Sequence, residues 1–417
     1  MRLWSLRWGA VPRFVGAALV AVGATGAPAI AATPAQAAST VQRRDTVRED
    51  QWQLTELRAT HAWRYATGSN VTVAVIDSGV DGSHPDLAGQ VLPGIDLVTG
   101  SGDGRTDPVG HGTTVAGLIA GRNDDRDGVM GLAPQAKILP VRVLDADNRY
   151  DDALIVAKGV RWAVDNGAEV INLSLGGSGN SPALAAAIDY AFARDVVVIA
   201  CTGNVAPDAP AEVWYPAREP GVIAVTGLER ETEGLWSGSI TGPATVLAAP
   251  ANGLVGARPG GTWKVQGTSF AAPLVSATAA LVRAKWPEMT AGTVVNRLIK
   301  TADDLGAVGR DDRFGYGLVD PVAALTVGMS TVERNPLDNN APPGVAGFGA
   351  APGIEAAGGT SGNHQTGGQA PGSNAGWSAE PVGEVEESRR GLLAGGLIAL
   401  GVIVAGAFTV RRFFRTR

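Results

Sequence analysis

Cysteine and histidine are both scarce in this chain of 417 residues, which holds one cysteine, Cys201, and four histidines. A single cysteine cannot form an intramolecular disulfide. So few cysteines and histidines also exclude a closed zinc site of the usual kind. We therefore predict no metal site and no required cofactor. Because Cys201 follows an apolar run at residues 196–200, we expect its thiol to be buried and inert.

An excess of positive charge is missing as well. The chain has 34 Lys and Arg residues against 40 Asp and Glu residues, and its formal net charge is −6 at pH 7. This balance gives no basic surface that would indicate nucleic-acid binding. Hydrophobic residues make up 45% of the chain, which is enough for a sizeable core. The length allows one large domain with appendages, or two or three smaller domains.

The N-terminus has the features of a secretory signal. Three arginines accompany an apolar stretch at residues 14–24, and residues 35–37 read Ala-Gln-Ala, a cleavage site of the A-x-A type. We predict that residues 1–37 are a signal peptide that is cleaved near Ala38. An uncleaved anchor is the alternative, but the apolar run is short and two prolines interrupt the segment before the site.

The C-terminus has a different pattern. Residues 391–410 form a 20-residue run without charge, which would be about 30 Å long as a helix and could cross a bilayer. Four arginines follow it, so the positive-inside rule puts the tail in the cytoplasm. We predict a single-pass cell membrane protein with a transmembrane helix at residues 389–411 and a cytoplasmic tail at 412–417. A buried core helix is disfavoured because nothing after it could cover it.

Strand and helix patterns alternate between these ends. Short apolar runs rich in β-branched residues predict strands buried on both faces, at residues 71–76, 138–144, 170–175, 196–200 and 222–226. Helical segments lie between them, at residues 112–121, 151–166, 182–194 and 269–286. The alternation predicts an α/β domain at residues 67–330, with a mostly parallel sheet and helices on both faces. Residues 38–66 are an N-terminal extension, and the Gly- and Pro-rich residues 331–388 predict a flexible linker.

Three motifs carry the chemistry. Residues 267–273 read Gly-Thr-Ser-Phe-Ala-Ala-Pro and put Ser269 at the start of a helix, where backbone N–H groups can face developing negative charge. A serine hydroxyl needs an adjacent base to become a nucleophile. His111 stands in Gly-His-Gly-Thr-Thr-Val-Ala-Gly, and Asp77 ends the first predicted strand, where it could fix the imidazole tautomer. Asp, then His, then Ser is a known chain order of a catalytic triad.

Each of these residues also has an ordinary structural interpretation. Ser269 could be a helix N-cap, His111 a hydrogen-bonded core histidine and Asp77 part of an Asp-Ser-Gly turn. Asp81 could compete with Asp77, but it lies four residues too late for the motif. The combination of three long motifs in the right order favours the catalytic interpretation.

Together the three segments resemble the subtilisin-like (S8) serine proteases. The resemblance implies that Asn204 supplies a side-chain N–H to the oxyanion, with the Ser269 backbone N–H as the second donor. It also implies a substrate pocket for the P1 side chain, the S1 pocket, with one wall at Ser174, Leu175 and Gly176. In the same way it implies that Trp214 forms the opposite wall, although a core position is the alternative for this residue.

Family members often have a small residue in place of Trp214, so we predict a narrow pocket and a preference for small P1 residues such as Ala. Family members also often hold Ca²⁺ near Asp86 and the acidic loop at residues 123–128. That loop lacks the spacing of an EF-hand, and a solvated surface loop is the favoured interpretation. The family's match to Pro216 follows a cis peptide bond, which this sequence alone does not settle.

One branch of this family, the mycosins associated with type VII secretion in actinobacteria, has a similar layout. It combines a signal peptide, Gln-Trp-x-Leu in the N-terminal extension, the same serine motif, a Pro/Gly linker and a C-terminal membrane helix. The resemblance implies a membrane-anchored endopeptidase outside the cytoplasm, with secreted proteins as substrates and type VII membrane components as partners. One departure from this branch is the absence of the disulfide pairs that many mycosins carry. The extension is also short for the folding pro-domain that is usual in secreted subtilisins.

Two other functions are weighed against the protease. A structural subunit of a membrane secretion complex, with dispensable protease activity, stays compatible with the sequence. An esterase on the α/β-hydrolase fold is excluded by order, because that fold runs Ser, acid, His and uses Gly-x-Ser-x-Gly. Here the serine comes last and is followed by Phe-Ala-Ala.

Overall fold

The computed structural model describes residues 46–339, apart from 125–127, 208–210 and 231–233, together with the backbone of 372–373 and 378–381. The predicted signal peptide, membrane helix and cytoplasmic tail lie outside the described residues and stay predictions. Among the helices that are described, none is long and apolar enough to cross a membrane.

Twelve strands are described. They are β1 Thr72–Asp77, β2 Ile95–Asp96, β3 Lys137–Arg142, β4 Arg149–Tyr150, β5 Val170–Leu173, β6 Val197–Cys201, β7 Ile223–Leu228, β8 Leu247–Pro250, β9 Leu254–Arg258, β10 Gly261–Gln266, β11 Gly372–Ser373 and β12 Ser378–Pro381. The α-helices within the same residues are α1 Thr46–Asp50, α2 Trp52–Glu56, α3 Ala59–Ala62, α4 His111–Ala120, α5 Ala153–Asp165, α6 Pro182–Ala193, α7 Thr268–Lys285, α8 Ala291–Lys300 and α9 Pro321–Thr326. A short 3-10 helix spans Pro85–Leu87.

Seven of these strands form one parallel sheet in the order β2-β3-β1-β5-β6-β7-β8. All residues of β5, β6, β7 and β8 are buried, because both faces of the sheet are covered. This burial explains why the strands are continuous apolar runs without alternation. The prediction of a mostly parallel sheet is confirmed.

Helices cover both faces of this sheet. A methyl group placed on Gly159 of α5 would lie 3.3 Å from Ile76, whereas one on Gly112 of α4 would lie 3.1 Å from Asp77. Consecutive residues of a strand point to opposite faces, so α4 and α5 lie on opposite sides of β1. Helix α7 packs with α4, and α6 packs with α5. The prediction of helices on both faces is confirmed.

The described domain continues past residue 330, where the sequence predicted a linker. The Asn335 side-chain amide donates to the carbonyl of Gly221 at 2.8 Å, and the Gly221 N–H donates to the carbonyl of Leu337 at 3.0 Å. Leu337 packs against the main core. Farther along, β11 pairs with β4, and β12 pairs with β10 to form a second sheet, β12-β10-β9. Local composition could not reveal these contacts, because their partners are remote in the sequence.

The N-terminal extension packs against the domain through polar side chains. The Gln51 amide donates to the carbonyl of Met130 at 2.8 Å and accepts from the Met130 N–H at 2.9 Å. The Trp52 indole N–H donates to the carbonyl of Asn252 at 3.0 Å. These side chains thereby satisfy backbone groups of two loops on the domain, so the extension is part of the folded unit.

Candidate active site

Asp77 and His111 meet at the carboxyl end of the central strand. Asp77 is the last residue of β1, and His111 is the first residue of α4. The distance from Asp77 Oδ1 to His111 Nδ1 is 2.8 Å, and both side chains are fully buried. Asp77 Oδ1 also accepts the Ser78 backbone N–H at 2.7 Å. A carboxylate in this position fixes the imidazole proton on Nδ1, which leaves Nε2 as the basic nitrogen.

Asp107, a residue that the sequence analysis did not identify, helps to hold Asp77 and His111 together. Asp107 is buried and accepts from the Ser78 hydroxyl at 2.8 Å, from the Gly110 N–H at 2.7 Å and from the Thr113 N–H at 2.8 Å. It therefore fixes the chain on both sides of His111. The sequence gives no standard helix-start signal at Asp107, because the N-cap position of α4 is held by Gly110.

Gly112 is required by the close approach of α4 to β1. A methyl group at this position would overlap the carbonyl oxygen of Gly79 and lie 3.1 Å from the Cβ atom of Asp77. Only glycine therefore allows the first turn of α4 to reach the end of β1.

Ser269 lies in the first turn of α7, next to α4. Gly267, with φ at 146°, precedes the helix. The Phe270 ring lies against the His111 imidazole, with ring centroids 5.2 Å apart, so the two helix starts are in contact. The Ser269 hydroxyl donates to Cys201 Sγ at 3.9 Å.

A series of hydrogen bonds between buried polar side chains holds the backbone of Ser269 in place. The Ser276 hydroxyl donates to Asn172 Oδ1 at 2.9 Å, the Asn172 amide donates to the Ser174 hydroxyl at 2.9 Å, and that hydroxyl donates to the Ser269 carbonyl at 2.6 Å. Ser174 was predicted as part of a pocket wall, and its hydroxyl here anchors the turn that carries Ser269. The roles of Asn172 and Ser276 were missed, because single Asn and Ser residues in apolar segments give no distinctive signal.

Asn204 is oriented with its amide nitrogen available. Its Oδ1 accepts from the Thr268 N–H and from the Thr268 hydroxyl, both at 2.9 Å. Its side chain is 1% exposed, and among the described residues Nδ2 has no hydrogen-bond partner. A buried donor without a partner is costly, by about 1–3 kcal/mol. Such an atom is well placed to receive an anionic oxygen during a reaction.

Trp214, one predicted wall of the pocket, lies against Gly176 of the other predicted wall and against Gly203. It is 6% exposed, and its backbone N–H donates to the Thr202 carbonyl at 2.9 Å. A methyl group on Gly203 would lie 2.6 Å from the indole atom Cε2, and one on Gly176 would lie 3.1 Å from the Trp214 Cβ atom. The indole therefore lies between the segments that follow β5 and β6. The next peptide bond, Tyr215–Pro216, is cis.

Cys201 is a free and buried thiol beside the same serine. Burial raises the pKa of Cys201 to about 11. The thiol is therefore protonated at neutral pH and is a poor nucleophile. The expected burial of Cys201 is confirmed, and its low reactivity stays a prediction.

The remaining predicted residues lie elsewhere. Leu175 is fully buried, and its carbonyl lies 3.9 Å from Cys201 Sγ. Within the described residues, no group of three or more His, Cys, Asp or Glu side chains is arranged to hold a metal ion. Part of the acidic loop, residues 125–127, lies outside the described structure, so its interpretation as a solvated surface loop, with a calcium site near Asp86 as the alternative, stays a prediction.

Known proteins share this domain. Residues 68–317 match the family model Peptidase S8, the subtilase family. Subtilisin E of Bacillus subtilis is 40% identical over 268 residues, which are 64% of this chain and 68% of that protein. Fervidolysin of Fervidobacterium pennivorans is 37% identical over 305 residues, which are 66% of this chain but only 43% of fervidolysin. The matched region 68–317 includes every residue of the candidate site.

Solved structures agree with these sequence matches. MycP1 from Mycobacterium smegmatis superposes with a TM-score of 0.61 at 31% identity, covering 70% of this chain and 89% of that one. The MycP3 protease from the type VII (ESX-3) secretion system superposes with a TM-score of 0.58 at 34% identity, covering 66% of this chain and 87% of that one.

Proposed function

The chain belongs to the subtilase family, Peptidase S8, and from this premise we propose that Asp77, His111 and Ser269 are the catalytic triad of a serine endopeptidase. The resemblance to subtilisin-like proteases, including the mycosins, is confirmed. One observation carries the assignment of the triad. It is the 2.8 Å contact between Asp77 Oδ1 and His111 Nδ1, made beside the start of the helix that bears Ser269.

The mechanism follows from this arrangement. His111 Nε2 takes the proton from the Ser269 hydroxyl as Oγ attacks the scissile carbonyl carbon. Asp77 holds the Nδ1 proton and stabilises the imidazolium that forms. His111 then gives the proton to the leaving amine, and water attacks the acyl-enzyme with His111 acting again as the base. These groups supply the nucleophile, the base and the acid, and this mechanism includes no cofactor.

Asn204 completes the proposed site as an oxyanion donor. Thr268 fixes Oδ1, so Nδ2 is held in one orientation before substrate arrives. A donor fixed in advance stabilises the developing charge without reorganisation. The Ser269 backbone N–H, at the start of α7, is the proposed second donor.

Replacing Asn204 by Ala is expected to lower kcat by about 10²–10³-fold with little change in KM; this magnitude is known from the equivalent loss in subtilisin, a relative. Steady-state kinetics on one peptide substrate would measure both constants. Asn166→Ala is the matched control, because its amide donates only to the Trp162 carbonyl at the end of α5. A large rise in KM at constant kcat would instead assign Asn204 to ground-state binding.

We propose that the substrates are peptides or proteins with a small residue, such as Ala, at P1. Trp214 supports this, because its indole occupies the volume between Gly176 and Gly203 that a large P1 side chain would need. An extended peptide would add as a strand to exposed backbone beside this pocket.

Trp214→Ala is expected to raise kcat/KM for Phe at P1, relative to Ala at P1, by about 10–100-fold, the worth of burying a large apolar side chain. A peptide library varied at P1 would measure the shift. Trp236→Ala is the control, because Trp236 is also 6% exposed. Both changes should cost about 3–5 kcal/mol of stability, so rates are compared below both melting temperatures. A parent that already prefers Phe would contradict the narrow pocket.

For the cellular setting, we propose a membrane-anchored enzyme outside the cytoplasm that acts with type VII secretion. The uncharged residues 391–410 and the arginines after them support an anchor. The similarity to MycP1 and MycP3 supports the secretion context. A second candidate, a structural subunit, is favoured by one related structure, a MycP1 that is described as an essential component of the type VII (ESX-1) system. A Ser269→Ala chain that still supports secretion would assign such a role.

A fluorophosphonate probe tests the proposed activity directly. Ser269 Oγ should attack phosphorus and expel fluoride, while His111 takes the hydroxyl proton. Mass spectrometry of the digested chain should find the added group on the peptide that contains Ser269. The heat-denatured chain, which lacks the assembled site, is the control and should not react. Labelling at other residues, or equal labelling of the denatured chain, would contradict the proposal.

A further inference from the structure

Strand β10 leads directly to the proposed nucleophile and has a partner from a remote part of the chain. It ends at Gln266, three residues before Ser269. On one side it pairs with β9, its hairpin partner. On the other side it pairs antiparallel with β12, with Gln266 opposite Ser378. The outer edge of β10 is therefore occupied by the chain's own downstream segment.

Strand β4 lies near the carboxyl end of β1, which carries Asp77, and is occupied in the same way. Tyr150 of β4 pairs antiparallel with Gly372 of β11. The Leu144 N–H donates to the Asp77 carbonyl at 3.2 Å, and the next residue, Asp145, donates its N–H to the Arg149 carbonyl of β4 at 2.8 Å. Both β4 and β10 thus flank the candidate site, and each pairs with one of the two described downstream strands.

The strands β11 and β12 are close together in the sequence, so one short segment pairs with both β4 and β10. Ser373 of β11 and Ser378 of β12 are five positions apart, so at most about 18 Å of extended chain separates them. An extended peptide that binds a protein by strand addition uses the same kind of open edge. A peptide that bound by strand addition to β4 or β10 would find these positions filled by the chain's own strands.

We propose that β11 and β12 are a tethered ligand that occupies the substrate-binding edges beside Ser269 and inhibits the enzyme in cis. This inference rests on the proposed peptidase function and names its regulation. Tethering gives a ligand an effective concentration in the millimolar range. Short strands bind weakly, so the inhibition is partial and competitive with peptide substrates. The inhibition is also independent of enzyme concentration, because ligand and site belong to one chain.

Deleting residues 372–381 from the full chain, purified in detergent, tests this proposal. The deletion is expected to lower KM for a peptide with Ala at P1 by about five- to tenfold and to leave kcat unchanged. A deletion of residues 352–361 shortens the same region by the same length and is the matched control, which should keep the parent KM. Intact mass confirms that the parent stays uncut during the assay. Equal KM values for the two deletions would overturn the proposal.

Hydrogen exchange separates a failure of this inference from a failure of the proposed function. It is measured in the Ser269→Ala background, so it requires no activity. Amides of β10 that face β12 should exchange more slowly in the full chain than in the chain without residues 372–381. If no chain cleaves peptide or reacts with a fluorophosphonate, the peptidase proposal fails, and slower exchange still supports occupancy. Equal exchange of β10 in both chains would overturn the occupancy itself.

Discussion

Ser269→Ala is expected to lower kcat for peptide hydrolysis by about 10⁶-fold, a loss of the size measured when the nucleophile of subtilisin, a relative, is removed. The change deletes the only atom that the proposed mechanism bonds to substrate. KM should change little, because substrate contacts are made by other groups. Burst and steady-state kinetics would measure the loss, with the enzyme concentration raised so that the residual activity can be detected.

The fold should tolerate this change. The Ser269 hydroxyl makes a long contact with Cys201 Sγ, whereas the stronger contact of this residue uses its backbone carbonyl, which Ala keeps. Thr278→Ala is the matched control on the same helix, because its buried hydroxyl donates to the Leu274 carbonyl of that helix at 2.8 Å. That variant should lose about 1 kcal/mol of stability and keep its kcat within a few-fold. Peptidase activity of Ser269→Ala near the parent level would mean that another residue is the nucleophile.

Asp77→Asn is expected to lower kcat by about 10⁴-fold, the size of this effect for the same change in a serine protease of another fold. The Asn amide would donate to His111 Nδ1, which moves the imidazole proton to Nε2. The nitrogen that faces the substrate could then no longer accept the serine proton. Proton NMR provides a second readout, because the downfield resonance of a His Nδ1–H bound to a carboxylate should disappear.

Asp81 gives the matched control for this experiment. It is another carboxylate near the end of β1, and its Oδ1 accepts from the backbone N–H and the hydroxyl of Ser83. Asp81→Asn should keep kcat within about threefold, in the range of surface changes away from a site. A large loss in Asp81→Asn together with a small one in Asp77→Asn would reverse the assignment of the two carboxylates.

Much of the fold follows from local sequence. Residues 71–76 were predicted as the first strand, and β1 spans Thr72–Asp77. Residues 269–286 were predicted as a helix, and α7 spans Thr268–Lys285. These elements are long and almost wholly apolar, so local periodicity and composition identify them. The alternation of such elements then restricts the architecture to a parallel sheet covered by helices.

Short and polar elements were not predicted. The two-residue strands β2 and β4 carry too few positions for a pattern. The hairpin of β9 and β10 was missed, and so were β11 and β12 in a segment whose composition predicts a flexible linker. In each case a partner strand, and not the residues themselves, makes the strand.

The sequence by itself determined which residues are available for chemistry, their order along the chain and the elements that carry Asp77, His111 and Ser269. Only the tertiary structure decided how these groups are held. The sheet order brings Asp77 to His111, Thr268 turns the Asn204 amide, and the indole of Trp214 lies between Gly176 and Gly203. The physical reason is distance in sequence. Motifs are local, whereas these contacts join residues from different elements, and their geometry exists only after the whole core has packed.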